Sequence, residues 1–426
     1  MRYSRRHLLQ LGALAGGSLI GKPIFSASAA TDSGSEPDPW NSARTQLVLN
    51  PRLAYFDTAQ FAPSSRAVLA SEYRAQESLH TDPDAFYAER YSASAVQELC
   101  KRLSGWLGCN VDELCLTRGA LAGLMQCAQT LNLQSGDEIL LAAQLPDSLR
   151  RFWQQQARQR SLVLKTISLP VPLHSEAEVL SAFEAAASER SRVLVCSHAQ
   201  YVDGSILPLR GLCQWARTRN LISMINGSLS LGALQFSLRD LDCDIYGASL
   251  CHWLNGPQQT GALYVRAEMQ AALLYESVGT AEPLRISRDG WPTLLQRWPT
   301  DFIELAPQFQ SLSSALTWQE NVGRARIEAR LRELQLYARL RVQALNDVEL
   351  LTSTQPGMWL HLLSLRSSKR NAVELASWLK NNDKVIVSGF NATQDGMNAL
   401  RVSFHIYNSH DEIDRLMQGL QRALRA

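Results

Sequence analysis

The amino-acid sequence predicts an α/β protein built on a mainly parallel sheet, followed by a small α+β domain. Short and nearly continuous apolar runs occur at 137–141, 193–196, 221–225 and 261–265, and helical patterns such as 209–218 separate them. Strands that are buried on both faces have this composition, because helices cover both sides of a parallel sheet. With 426 residues, the chain is longer than one hydrophobic core usually serves, so two domains are expected.

The spacing of apolar residues predicts the main helices. In the first domain it indicates helices at 66–77 and 93–107. After Pro307 the pattern changes to a long helical stretch from Ser311 to about Asn346, rich in arginine and glutamate. This stretch is expected to be one helix that connects the two domains.

The C-terminal part has the pattern of a small mixed domain. Strand-like segments occur at 358–363 and 400–405, and a final helix is expected from about His410. The sequence therefore predicts four regions: a signal peptide at 1–29, a linker at 30–48, a large domain at 49–310, and a bridging helix with a small domain at 311–426.

The N-terminus has the three parts of a bacterial export signal. Ser4-Arg5-Arg6-His7-Leu8-Leu9 forms a basic head, residues 11–20 are apolar, and Ala27-Ser28-Ala29 is a small-residue cleavage site. The adjacent arginines are typical of the twin-arginine type, which carries folded proteins to the periplasm. The alternative is a frayed amphipathic helix with two chance arginines. We expect a periplasmic protein.

Charge and hydropathy give no support to two classes of partner, nucleic acids and membranes. The formal charge is +2, and the four positive residues of the leader, Arg2, Arg5, Arg6 and Lys22, bring it to −2 when they are removed. A mature chain so near neutrality gives no support to nucleic-acid binding or to attraction by a membrane surface. After the leader, no apolar run has the length of a membrane span.

The cysteines indicate neither zinc nor an extensive disulfide framework. Eight cysteines are present, most of them in apolar segments, and no CxxC or Cys/His metal spacing occurs. Buried free thiols are therefore expected for most of them, and no metal site. Because the chain has an export signal, Cys100 and Cys109 are the pair to test first for a disulfide.

Several short motifs follow one another in a recognisable order along residues 50–426. They are Tyr55-Phe56-Asp57-Thr58-Ala59, Gly136-Asp137-Glu138-Ile139, Ser197-His198, Gly204-Ser205-Ile206-Leu207-Pro208, Trp253-Leu254-Asn255-Gly256-Pro257, and Arg401-Val402-Ser403 with Tyr407-Asn408. In these motifs the chain resembles the class V aminotransferases, close to the isopenicillin N epimerase-like and cysteine desulfurase-like groups. These are pyridoxal 5′-phosphate (PLP) enzymes of fold type I.

The resemblance implies an architecture and a cofactor. It implies the PLP-transferase fold, with a seven-stranded sheet in the large domain and a small C-terminal domain. It also implies a homodimer with active sites at the subunit interface, and PLP as the cofactor.

The residue on which PLP chemistry depends is missing. A lysine amine forms the internal aldimine and then moves protons. In the family it occurs in a Ser-x-His-Lys-Trp pattern, and here the stretch is Ser249-Leu250-Cys251-His252-Trp253. His252 therefore occupies the catalytic lysine position, and an imidazole does not form a stable Schiff base. We expect PLP not to be bound covalently, or not to be bound at all.

Other cofactor contacts have changed as well. The family's Val-Asp-Gly-Ala-His, which places a carboxylate beside the pyridine nitrogen, is Ile225-Asn226-Gly227-Ser228-Leu229 here, so Asn226 replaces the carboxylate and Leu229 the histidine. In the phosphate loop, Thr117-Arg118-Gly119-Ala120-Leu121 has lost its second hydroxyl at Leu121, and Leu145 replaces the stacking aromatic residue. Changes at one site in an intact scaffold indicate relaxed selection on this chemistry.

Some family contacts remain as vestigial positions. Ser249 and Thr300 match phosphate contacts, the latter reaching across the dimer, and Arg401 matches the residue that grips a substrate carboxylate. A salt bridge between domains is the alternative for Arg401. His198 is interpreted as a satisfied histidine at a strand end, with a ligand contact as the alternative.

The sequence therefore predicts a periplasmic pseudoenzyme that binds a small molecule or supports an active paralogue. One alternative is an active periplasmic PLP enzyme that modifies a small molecule or peptide, as in siderophore maturation. Another is an enzyme that uses His252 with PLP held non-covalently. A third is an interaction protein, which would have a collapsed apolar cleft with Leu121, Leu145 and Leu229 in contact.

Overall fold

A seven-stranded sheet forms the centre of the protein. The structure, a computed structural model, describes residues 39–271, 273, 305–391 and 397–425. The strand order is β2-β8-β7-β6-β5-β3-β4. The seven strands are β2 (Leu114–Thr117), β3 (Glu138–Ala142), β4 (Val163–Ile167), β5 (Ser191–Ser197), β6 (Ile222–Gly227), β7 (Ile245–Ser249) and β8 (Gly261–Val265).

The direction of the strands confirms a mainly parallel sheet. Strands β3 to β7 are parallel to one another, and β8 runs antiparallel to both β7 and β2. All residues of β2, β3, β7 and β8 are buried. Their apolar runs therefore have the composition of strands covered on both faces.

Helices cover this sheet, and the predicted ones lie where their patterns place them. The helices up to residue 271 are α1 (Pro39–Thr45), α2 (Arg66–Thr81), α3 (Pro83–Ala85), α4 (Ala93–Leu107), α5 (Ala120–Thr130), α6 (Asp147–Arg160), α7 (Glu176–Ala186), α8 (Leu209–Thr218), α9 (Leu238–Leu241) and α10 (Ala267–Gln270). The Ser65 side chain caps α2 by accepting a hydrogen bond from the N–H of Val68. Helix α4 ends at Gly108, which has a φ of 65°.

A second hydrophobic core surrounds a four-stranded antiparallel sheet of order β12-β13-β10-β9. Its strands are β9 (Val348–Leu350), β10 (Leu362–Ser367), β12 (Ser388–Phe390) and β13 (Ala399–Ser403). Helices α13 (Ala372–Asp383) and α14 (His410–Arg425) complete this part. A short parallel pair, β1 (Ala54–Tyr55) with β11 (Val385–Ile386), joins the beginning of the chain to it.

Two expectations from the sequence are corrected. The stretch from Ser311 to about Asn346 is two helices, α11 (Ala306–Val322) and α12 (Arg324–Val342). They are separated at Gly323, whose φ of 88° interrupts a helix and is tolerated by glycine. The end of the predicted linker 30–48 is ordered, since α1 lies within it and Leu47 is buried.

Other expectations fall outside the described residues. The leader at 1–29, most of the linker and Thr300 belong to this part of the chain. The boundary at residues 310 and 311 stays a prediction. Within the described residues, no helix combines the length and the apolarity that a membrane span requires, and no cluster of possible metal ligands occurs.

Candidate active site

A cavity of about 480 Å³ lies at the carboxyl ends of the central strands. Ligands bind at this edge in open α/β sheets, because the loops that follow parallel strands meet there. Strands β2, β6 and β7 lead directly into it. The lining residues are Ala59, Gln60, Arg118, Gly119, Ala120, Leu121, Ala122, Pro146, Asp147, Ser148, Tyr201, Ser228, Leu229, Ser249, Cys251, His252, Gln259 and Thr260.

One end of the cavity is built for an anion. Helix α5 begins there, and its first intrahelical hydrogen bond joins the N–H of Gly123 to the carbonyl of Gly119. The N–H groups of Ala120, Leu121 and Ala122 therefore have no acceptor within the helix and carry the positive end of its dipole. Gly119 has open space at the position of a side chain. This end can bind a phosphate.

Ser249 adds a hydroxyl group to the anion end. It is the last residue of β7, lines the cavity, and is 7% exposed. No side chain or backbone group of the described residues bonds its Oγ. A buried hydroxyl that faces a cavity without a partner can donate to a ligand oxygen.

His252 lines the cavity at the position of the family lysine. Its Nδ1 lies 3.0 Å from the carbonyl oxygen of Thr58. Burial lowers the pKa of His252 to about 4, so the imidazole is neutral at physiological pH. The residue before it, Cys251, also lines the cavity, and burial raises its pKa to about 11, which keeps it a thiol.

The backbone at His252 is firmly held by its neighbours. Trp253 is buried, and its indole Nε1 donates to the carbonyl oxygen of Phe404 at 2.7 Å. The amide of Gln319 in turn donates to the carbonyl of Trp253 at 2.7 Å. On the other side, the Thr58 hydroxyl bonds that of Tyr407 at 2.7 Å. The imidazole is thereby positioned by packed, hydrogen-bonded elements.

Asn226 does not line the cavity, and its carbonyl oxygen is already used. Its Oδ1 accepts from the backbone N–H of Ser228 at 3.1 Å and from the Ser228 hydroxyl. Its Nδ2 donates to the Ser197 hydroxyl at 3.1 Å. Because a backbone N–H only donates, the amide orientation is determined, and Asn226 has an N–H left but no acceptor for a protonated ring nitrogen.

His198 also lies away from the cavity. It is buried, its Nδ1 is 3.0 Å from the Tyr246 hydroxyl, and its ring meets Phe236 edge-on at 5.1 Å. Burial lowers its pKa to about 3. These contacts describe a neutral histidine packed at a strand end, and none of them leads to a ligand.

Arg401 is buried within the protein and does not line the cavity. Its side chain is 0% exposed, and Nη1 donates to the carbonyl of Tyr201 at 2.6 Å. Nη2 donates to the Ser388 hydroxyl at 3.2 Å and lies 3.7 Å from Asp57. The ring of Tyr201, which does line the cavity, covers the guanidinium at 4.7 Å. The carboxylate-gripping role implied for Arg401 has no geometric support here.

No lysine replaces the missing one within the described residues. The five lysines after the leader all lie elsewhere: Lys101, Lys165, Lys369, Lys380 and Lys384. Lys165 pairs with Glu138 at 2.7 Å, and Lys369 pairs with Asp347 at 2.8 Å. Within the described residues, the cavity therefore has no primary amine.

The cleft is not collapsed. Leu121 and Leu229 line the cavity, whereas Leu145 is packed in the large core and does not. The open cavity disagrees with the collapsed cleft that was expected for a plain interaction protein.

The cysteines, including Cys100 and Cys109, are free thiols in this structure.

Tyr201 and Gln60 are among the lining residues that were not found from the sequence. The hydroxyl of Tyr201 donates to Gln60 Oε1 at 3.1 Å, which connects two loops at the cavity. Neither residue belongs to a motif, and they are 141 positions apart in the chain. For Asn226 a signal was available, since an asparagine two residues before a serine often bonds the backbone of that serine.

The comparison with known proteins decides the family. The class-V aminotransferase model matches residues 54–416. The chain belongs to the class V aminotransferases. Isopenicillin N epimerase of Amycolatopsis lactamdurans is 28% identical over 394 residues, which are 90% of this chain and 98% of that protein. A probable cysteine desulfurase of Vibrio cholerae is 26% identical over 397 residues, 90% of this chain and 96% of that protein.

Solved structures of the family have the same fold. The cysteine desulfurase CsdA of Escherichia coli superimposes on this chain with a TM-score of 0.74 at 21% identity. The superposition covers 92% of this chain and 99% of CsdA. A mutant of C-DES with glycine covalently linked to its PLP cofactor has a TM-score of 0.74 at 17% identity, covering 91% and 99% of the two chains. The predicted fold type I architecture is confirmed, and these relatives are PLP enzymes.

The cavity fits one part of PLP and does not fit another. The start of α5 with Ser249 suits the phosphate group. The described residues offer the aldehyde no amine, since His252 lines the cavity where the sequence predicts the lysine. They offer the ring nitrogen no carboxylate, since residue 226 is an asparagine, and its Oδ1 already accepts from Ser228. The residues therefore do not fit PLP held as an aldimine with a protonated ring.

Proposed function

We propose that this class V aminotransferase homologue is a ligand-binding pseudoenzyme without transaminase activity. One observation carries the proposal: an open cavity with an anion-binding end contains His252 and no lysine from this chain. A transaminase must bind its cofactor through an amine and move protons with it. A neutral imidazole does not form the Schiff base with the cofactor aldehyde, which is the first of these two lysine reactions.

We further propose that the mature chain is a periplasmic homodimer. The twin-arginine pattern at residues 4–9 supports the export, and the family resemblance supports the dimer. Its physiological role is then to bind a small molecule, or to support an active paralogue of the same fold.

A second candidate function rests on His252 itself. A neutral imidazole at a cavity can act as a base on a ligand held non-covalently. The family's ring-nitrogen carboxylate would assist such chemistry, and Asn226 has no charge to offer. The absence of this charge favours the pseudoenzyme.

Cofactor loading tests the proposal directly. The mature protein is expressed with PLP and purified. Its spectrum is then examined for the absorption of violet light that an aldimine gives. Finally, the protein is reduced with borohydride and its intact mass is measured. We expect a colourless protein with no mass increase, and no transfer of amino groups from common amino acids. A stoichiometric reducible adduct at one lysine would overturn the proposal.

A reversal experiment tests whether the missing groups are the cause. The double variant His252→Lys with Asn226→Asp should gain aldimine absorbance with PLP. The carboxylate would keep the hydrogen bonds from Ser228 and gain one from Ser197, whose hydroxyl can rotate to donate. His80→Lys, with the same Asn226→Asp change, is the matched control and should stay colourless, since His80 is an exposed residue outside the cavity.

A further inference from the structure

The contact with Thr58 determines which ring nitrogen of His252 carries the proton. A carbonyl oxygen only accepts hydrogen bonds, so Nδ1 donates to it. In the neutral ring, Nε2 is then unprotonated and carries a lone pair. No hydrogen bond from the described residues reaches Nε2. The Nε2 atom is also not one of the fully buried side-chain atoms that lack a partner. His252 thus offers an acceptor to the cavity.

Three of the hydroxyl groups that share the cavity with His252 already donate elsewhere. Tyr201 donates to Gln60 at 3.1 Å, and Thr260 donates to the carbonyl of Pro257 at 2.6 Å. Ser228 donates to Asn226. None of these three protons is directed at Nε2, and no hydrogen bond from the described residues reaches it, so a ligand can supply the donor.

Together these contacts point to a specificity that the family does not have. We propose that His252 selects a ligand that carries a hydrogen-bond donor, in the form of an anion-bearing amine held non-covalently, and discriminates against the corresponding aldehyde. The inference rests on the proposed function and names the ligand class of that same cavity. His252 acts in it as a specificity-determining residue, while α5 and Ser249 hold the anion.

The physical reason is the match of donors and acceptors at residue 252. An amine or ammonium group donates to Nε2, and a hydrogen bond with a charged partner is among the stronger ones. An aldehyde oxygen is itself an acceptor, so it meets the lone pair of Nε2 and leaves both groups unsatisfied. In an enzyme with lysine at this position the preference runs the other way, because the aldehyde is captured covalently.

Two probes that differ at one group test the proposal. Pyridoxamine 5′-phosphate and PLP have the same ring and phosphate, and carry an amine and an aldehyde respectively. Isothermal titration of the mature protein with each, at pH 7.5, gives two dissociation constants. We expect the amine to bind at least about tenfold more tightly, the effect of one hydrogen bond of average strength or better.

Variants at residue 252 assign the preference to the imidazole. His252→Phe keeps a ring and removes the acceptor, so the two dissociation constants should become equal within about twofold. His252→Gln offers an N–H as well as an oxygen, so the ratio of the two dissociation constants should become smaller than in the wild type. His80→Phe is the matched control and should keep the preference. Melting temperatures without ligand show whether each variant is folded.

The outcomes separate this inference from the proposed function. Equal affinity for the two probes, or no binding of either, would overturn the inference while leaving a protein without aldimine chemistry. A preference for the amine that survives in folded His252→Phe would also overturn it. If PLP instead forms a borohydride-reducible adduct in stoichiometric amount, the proposed function itself fails.

Discussion

The two ends of the cavity differ in the kind of group that builds them. At the anion end, the start of α5 and the hydroxyl of Ser249 keep the groups that hold a phosphate. At the ring end, the lysine, the carboxylate and the ring-binding histidine have become His252, Asn226 and Leu229. The anion end is built mainly from backbone groups, which folding itself maintains. The ring end depends on side chains, and a single substitution removes the group that a side chain supplies.

Arg401 is buried among structural elements and does not line the cavity. Its guanidinium joins Asp57, Ser388 and the carbonyl of Tyr201. These positions belong to separate loops and strands. The same group that would bind a substrate in a relative here connects the loop after β1, β12 and the loop after β5.

Replacing Arg401 should therefore cost stability. Arg401→Met keeps much of the buried volume, but it leaves the Tyr201 carbonyl without its donor and Asp57 without its positively charged partner. We expect the free energy of unfolding to fall by about 3–5 kcal/mol, as for other buried pairs that lose one member. Denaturation with urea measures this loss.

The matched control is Arg366→Met, because Arg366 pairs with Glu349 on the surface. Its loss should stay below about 1 kcal/mol. A folded Arg401→Met variant of normal stability that no longer binds pyridoxamine 5′-phosphate would show that Arg401 belongs to the ligand site after all.

Buried histidines should make the protein sensitive to acid. Burial lowers the pKa of His198, His361 and His405 to about 3 and that of His252 to about 4. An unfolded histidine titrates near about 6.5, so the unfolded chain takes up these protons first as pH falls. The free energy of unfolding should be constant above about pH 6.5 and decrease toward about pH 4. Burial raises the pKa of Asp203 to about 6, so the folded protein takes up one proton there before the unfolded chain does. This proton partly offsets the loss of stability as pH falls.

One substitution measures how much a single histidine contributes to this pH dependence. His405 stacks on Tyr407 with ring centroids 4.5 Å apart, and His405→Phe keeps an aromatic ring there. The slope of unfolding free energy against pH, from urea titrations between pH 6.5 and 4, should decrease by up to about 1.4 kcal/mol per pH unit. A slope that is unchanged relative to wild type would show that His405 is not held neutral. His80→Phe controls for the substitution.

Much of the fold was predictable, because it depends on local pattern. Continuous apolar runs predicted strands such as β5 and β8 to within two residues. The break at Gly323 was missed because arginines and apolar residues continue with helical spacing on both sides of it. The absence of the lysine was also visible in the sequence, since it is a property of one position.

The state of the remaining site residues was not predictable in the same way. The partners of Arg401 come from positions 57, 201 and 388, and no local pattern brings them together. The tautomer of His252 depends on the carbonyl of Thr58, which is 194 residues away. Whether a conserved-looking residue faces a cavity is decided by such long-range packing.

A charge at the anion end should affect binding more than a change of size. Leu121→Glu places a carboxylate in the first turn of α5, where the helix dipole stabilises it but where it repels a phosphate. The affinity for pyridoxamine 5′-phosphate should fall about thirtyfold, near 2 kcal/mol. Leu121→Gln has nearly the same shape without the charge and should bind within about threefold of wild type. Equal losses in both variants would argue against an anion at this helix start.

The smallest effect distinguishes two serines at the two ends of the cavity. The hydroxyl of Ser249 has no partner in the described residues, whereas that of Ser228 donates to Asn226. Ser249→Ala should therefore weaken pyridoxamine 5′-phosphate about fivefold, near 1 kcal/mol, with unfolding free energy unchanged. Ser228→Ala should leave the affinity unchanged and lower stability instead, because Asn226 Oδ1 loses one of its two donors. The reverse pattern, with affinity lost at Ser228 and stability lost at Ser249, would place the anion at the opposite end of the cavity.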